Sequence, residues 1–103
     1  MKKVKVPPQI HKDLEDRVKD RPEFLDKLFG RGEKKAMVVK IAETLKAMPN
    51  GKCIPFSVHE FSEKFGGVEK HRINNLKTAL KRCGIPFPRI VLDSGQVYIW
   101  ENK

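Results

Sequence analysis

A chain of 103 residues with a formal charge of +9 at neutral pH and an isoelectric point near 9.8 has room for one small core and favours a polyanionic partner. Its composition, 39% hydrophobic and 34% charged, is too apolar for wholesale disorder, and no run approaches the roughly 20 apolar residues of a membrane span. Cys53 and Cys83 are too few for a disulfide framework and read as packing thiols, while the N-terminal lysines lead into Val4, Pro7 and Pro8 instead of an apolar leader. The expectation is a soluble cytoplasmic protein with no membrane partner.

In chain order, a basic, proline-containing arm over residues 1–8 comes first. Ile10, Leu14 and Val18 then recur every fourth residue, the pattern of a helix with a narrow apolar stripe. Asp20 and Pro22 open a second, short helix bearing Phe24, Leu25, Leu28 and Phe29, which Gly30 closes. Two uses of these apolar groups stay open: docking the N-terminal helices on the core, and a homodimer interface through residues 9–29. Residues 1–32 are read as an N-terminal arm and helical extension, and residues 33–103 as the main domain.

Between residues 33 and 48, Met37, Val38, Ile41, Ala42, Leu45 and Met48 mark an amphipathic helix, ended by Pro49, Asn50 and Gly51. Residues 52–56 are apolar but short and contain Pro55, so they predict at most a brief edge strand. Ser57 and Glu60 have the spacing of a capping box, with Phe56 placed as the preceding hydrophobic staple residue. The helix they begin presents Val58, Phe61 and Phe65 and stops at Gly66 and Gly67.

Residues 68–83 read as one helix closed by Gly84. Ile73, Leu76, Ala79, Leu80 and Cys83 share one side, and Lys70, His71, Asn74, Lys77, Thr78, Lys81 and Arg82 spread over the other, with Asn74 at its centre, about 180° from the core side. Arg72 falls at the edge of the apolar face, where its stem packs and its head reaches out. Lys70, Arg72, Lys77, Lys81 and Arg82 stand against Glu69 alone, so this segment concentrates the positive charge. The period then changes to two: residues 89–92 and 97–100 flank Asp93, Ser94, Gly95 and Gln96, a hairpin pattern. A two-residue Ser94-Gly95 turn pairs Leu92 with Val97 and Ile90 with Ile99 and puts these four on one face. Arg89, Val91, Tyr98 and Trp100 occupy the other.

The order from residue 33, namely helix, short strand, capped short helix, glycine turn, basic helix and hairpin, resembles the winged helix-turn-helix family over roughly residues 33–101. The fold class expected is mainly α with a small β-hairpin (α+β), a winged helix-turn-helix with an N-terminal helical extension. The resemblance implies that residues 68–83 form a recognition helix for the major groove of double-stranded DNA and that the hairpin is the wing. The wing tip, Asp93 to Gln96, departs from the basic tip common in the family, which leaves Arg89 near the hairpin base as its contact.

Side-chain chemistry points the same way. Asn74 and Asn75 carry amides suited to adenine, Lys70 and Arg72 can donate to guanine, and Lys77, Thr78, Lys81 and Arg82 extend a strip for phosphates, with His71 near the helix start. The candidate DNA-binding set is therefore Lys70, His71, Arg72, Asn74, Asn75, Lys77, Thr78, Lys81, Arg82 and Arg89. His59 and Glu60 begin like a zinc-protease motif, but Glu63 stands where histidine is needed, and Cys53, His59, His71 and Cys83 lack metal-ligand spacing. The sequence thus predicts no enzyme, cofactor, metal or small-molecule ligand. The function expected is a sequence-specific transcriptional regulator. The alternative is a winged-helix protein-interaction module of a nucleic-acid-processing assembly, docking through residues 24–29 and the Tyr98–Trp100 surface. A third reading, single-stranded RNA binding, would need Tyr98 and Trp100 as stacking surfaces.

Overall fold

The structure, a computed structural model, describes residues 8–18 and 34–101. Met37, Val38, Ile41, Ala42 and Leu45 line the buried side of a helix over Lys34–Ala47, because their spacing places them on one stripe. It follows an N-terminal helix, α1 (Pro8–Arg17), and is numbered α2. Strand β1 (Ile54–Ser57), helices α3 (Val58–Phe65) and α4 (Lys70–Arg82), and strands β2 (Pro88–Asp93) and β3 (Gln96–Glu101) complete the described elements.

The architecture is α+β, with four helices among the described residues and a three-stranded antiparallel sheet in the order β1-β3-β2. The hairpin has the two-residue turn and the register expected, Leu92 opposite Val97 and Ile90 opposite Ile99. Ser94 and Gly95 both adopt positive φ, 51° and 78°, which two-residue turns of this hand require. The hairpin is not alone, however. Ile54 and Phe56 of β1 pair with Ile99 and Val97 of β3, so the expected small hairpin is extended to three strands. Pro55 is tolerated because β1 lies at the sheet's edge, where one row of N–H groups faces away from the ladder.

Ser57 caps α3 as its sequence predicts: its hydroxyl accepts from the Glu60 N–H at 3.1 Å, and the Glu60 carboxylate accepts from the Ser57 N–H at 3.3 Å. Gly66 ends the helix in the left-handed conformation, with φ 86°. The principal core brings together Ile41 and Leu45 from α2, Phe61 and Phe65 from α3, Ile73, Leu76 and Leu80 from α4, and the sheet's inner face.

The sheet's outer face is a second core. Val91, Tyr98 and Trp100 are buried together with Cys53 and with Leu14 of α1, which is only 1% exposed. This corrects the reading of Tyr98 and Trp100 as a docking or stacking surface: α1 covers them. Leu14 is the member of the Ile10, Leu14 and Val18 stripe that does so. Val18 is exposed, and the Ile10 side chain lies outside the described residues. The Cys53 N–H donates to the Arg17 carbonyl at 3.2 Å, and Val18 bridges Cys53 in parallel, which ties the end of α1 to the start of β1. The short helix expected around Phe24, Leu25, Leu28 and Phe29 lies outside the described residues. No helix among the described residues is long and apolar enough to cross a membrane.

Candidate nucleic-acid interface

Two parallel ridges run along the solvent side of α4. Ile73, Leu76 and Leu80 are buried, and at about 100° per residue the direction opposite them falls between Thr78 and His71. The centre of the outer face is therefore His71 and Thr78, while Asn74 is about 50° to one side. Lys70, Asn74, Lys77 and Lys81 line up as one ridge, and His71, Asn75, Thr78 and Arg82 as the next. All eight are exposed except Lys77, which is partly buried. Thr78 donates its hydroxyl to the Asn74 carbonyl at 3.0 Å, so its proton is engaged within the helix.

Arg72 leaves both ridges. Its guanidinium lies against the α3–α4 turn, 3.2 Å from the point a Cβ on Gly66 would occupy, and its Nε is buried without a hydrogen-bond partner. The structure thus separates Arg72 from the residues expected to act with it, and it makes a second demand on Gly66, where a side chain would meet the guanidinium as well as an unfavourable φ.

The first ridge faces the connection between α4 and β2. Lys77, Thr78 and Lys81 form one wall of an open groove of about 350 Å³, and Pro86, Phe87, Pro88 and Arg89 form the other. Burial pushes the Lys77 ammonium below its ordinary pKa, and the positive charges of Arg89 and Lys70 act in the same direction. Cationic side chains are thus held together without acidic compensation among the described lining residues, as in sites that await an anion. Arg89 also lies with its guanidinium 5.8 Å from the centre of the Trp100 ring, and Arg17 of α1 approaches the same ring at 5.8 Å. Such cation–π contacts hold Arg89 at the groove while leaving it exposed.

The hairpin turn does not project. Ser57 and Asp93 both sit opposite Gln96, so β1 runs as far as the tip. The Gly95 carbonyl accepts from the Val58 N–H at 3.0 Å, and Asp93 pairs with His11 of α1. Sequence reasoning missed two residues here. His11 gives no pattern in the sequence, since its partner is far along the chain. Phe87 stands between two prolines and belongs to neither a helical nor a strand period, yet it is 63% exposed.

The remaining histidines and thiols do not converge. Cys53 is buried beneath α1, where burial pushes its thiol up to about 11, His59 pairs with Glu63 at 3.3 Å, and Cys83 is half-buried at the end of α4. No family model, no curated protein and no solved structure matches this chain.

Proposed function

We propose that the chain is a winged helix-turn-helix protein that binds double-stranded DNA sequence-specifically and acts as a small transcriptional regulator, with α4 in the major groove. The observation that carries this reading is the outer face of α4: two largely exposed ridges, each with one amide among basic or hydroxyl side chains, on a helix that contains no acidic residue. Amides and guanidinium or ammonium groups at such spacing suit base edges and phosphates respectively. The element order supports it, with α2, β1, α3, α4 and the hairpin in the family's succession. Because the turn is held against α1 and α3, Arg89 at the base of the hairpin takes over the role the family gives to a projecting wing. A homodimer through residues 9–29 would double the footprint; in the described part of that segment, Leu14 is spent on the protein's own sheet.

Selection of bound duplexes from a random pool, followed by salt titration of the best one, tests the proposal. A short enriched motif is expected, with log K falling against log salt at a slope of about −4.5 per subunit if about five phosphates are neutralised. The absence of any enriched motif would favour the protein-interaction alternative. That alternative has lost its Tyr98 and Trp100 surface, since both are buried.

A further inference from the structure

We propose that the groove between α4 and the Pro86–Phe87–Pro88 segment takes an unpaired nucleotide of a DNA strand, its base stacked on Phe87 and its phosphates on Lys77, Lys81 and Arg89. The inference rests on the DNA-binding reading above and names the substrate it favours: a duplex that continues into a single strand.

Three observations converge on it. Phe87 is the most exposed of the large hydrophobic residues described, at 63%, and Pro88 after it disfavours a helical backbone there, keeping the segment extended. The groove it borders measures about 350 Å³, at the small end of ligand clefts. Finally, Lys77, Lys81 and Arg89 line the same groove as the ring, with no acidic residue among the described lining, so the complementary occupant carries both a π-face and negative charge. A single nucleic-acid strand has both at every residue. Within a duplex the bases are stacked on each other and offer only their edges, so the exposed face of Phe87 calls for a base outside the helix. The groove continues the Lys70, Asn74, Lys77 and Lys81 ridge, so a strand leaving a duplex on α4 would pass over Phe87 without a gap in cationic contacts.

The test uses the full chain and the duplex found by selection, in three forms: blunt, with a short oligothymidine tail on either strand, and with an abasic tail of the same length. The expected result is that one of the thymidine tails tightens binding about tenfold, that the abasic tail yields only a small part of this, and that Phe87→Ala abolishes the gain while leaving the blunt duplex unaffected. Phe87→Trp should preserve it. Equal binding of blunt and thymidine-tailed duplexes overturns the inference and leaves the DNA-binding reading intact. Equal gains from thymidine and abasic tails overturn it by reducing the groove to a charge effect. Equal loss on all forms with Phe87→Ala overturns it by making Phe87 a contact to the duplex itself. Failure of the blunt duplex to bind at all overturns the DNA-binding reading first.

Discussion

His11 of α1 and Asp93 of the hairpin turn meet through Nδ1 and Oδ2, and the same imidazole reaches Glu15 through Nε2 at 2.9 Å. The His11–Asp93 approach is a close polar contact without the alignment of a hydrogen bond. It latches the helix over the buried Val91, Tyr98 and Trp100. Cys53 reports on the latch, because the thiolate is the reactive form and burial under α1 holds this thiol near 11. In a Cys83→Ala background, His11→Ala or Asp93→Asn should accelerate alkylation of Cys53 at pH 8 several-fold. An unchanged rate would mean that Leu14 and the backbone link between Arg17 and Cys53 keep α1 in place without the latch.

Leu14→Ala should lower stability by about 2 to 4 kcal/mol, as expected for removing a fully buried leucine, measured as a lower denaturant midpoint. The same burial changes how self-association has to be tested. Removing residues 1–32 would strip α1 and uncover Val91, Tyr98 and Trp100, and an exposed apolar face of that kind associates non-specifically. Sedimentation of Phe24→Glu and Leu28→Glu variants of the full chain asks the question directly, and a dimeric mass that survives both would dismiss residues 24–29 as the interface.

Lys77→Met should stabilise the free protein at neutral pH and weaken polyanion binding. Lys77 is held below the ordinary lysine value of 10.5 by burial first and by Arg89 and Lys70 after it. Below its lowered pKa it is charged in both folded and unfolded chains, and folding brings that charge into an unfavourable place. Between the lowered value and 10.5 the unfolded chain binds more protons, so stability rises with pH in that window. The advantage of the methionine variant in thermal melts should therefore shrink as pH approaches 10.5, and at neutral pH it should shrink with added salt.

Asn74→Ala and Lys81→Ala separate base reading from phosphate anchoring along one ridge. The first should cost about 1 to 3 kcal/mol on the preferred duplex and little on a scrambled one. The second should weaken both about equally and reduce the salt slope by about 1. Equal losses from Asn74→Ala on the two duplexes would argue against base reading by this ridge. The geometry of α4 adds a comparison: His71 is nearer the centre of the outer face than Asn74, so His71→Ala should be at least as damaging if the helix enters the groove squarely.

Trp100 is the sole tryptophan, and Arg89 is held over its ring. A phosphate that draws Arg89 away changes the ring's surroundings, so DNA binding should shift or quench the intrinsic emission, and Arg89→Ala should abolish the change while weakening affinity. An unaltered spectrum at saturation would place Arg89 outside the interface.

The parts of the molecule legible in the sequence are those whose partners lie nearby. The Ser57–Glu60 capping box, the Ser94-Gly95 turn with its register, and the apolar side of α4 each follow from a few neighbouring residues and one period. Two features were hidden because their partners are distant. β1 is short and carries Pro55, so nothing local reveals that Ile54 pairs with Ile99. Tyr98 and Trp100 alternate with core residues as solvent-facing positions would, and the deep insertion of Leu14 that covers them comes from a helix far away in the sequence. At the candidate interface, the two sides of α4 were readable from its periodicity, but the withdrawal of Arg72 to Gly66 and the projection of Phe87 depend on how the α3–α4 turn and the α4–β2 connection settle in three dimensions.

The middle position of β3 in the sheet makes its hydrogen-bonding ladder a keystone for the order in which the molecule can be made. Neither β1 nor β2 has another strand to bond to among the described residues, so during translation the segment carrying Ile54 and Phe56 must wait until Val97 and Ile99 have emerged. Until then Phe56 and the apolar side of α2 have no finished surface to meet, and a premature stop ahead of Val97 would forfeit the entire sheet, the cover that α1 lays on it, and the support for Arg89 together.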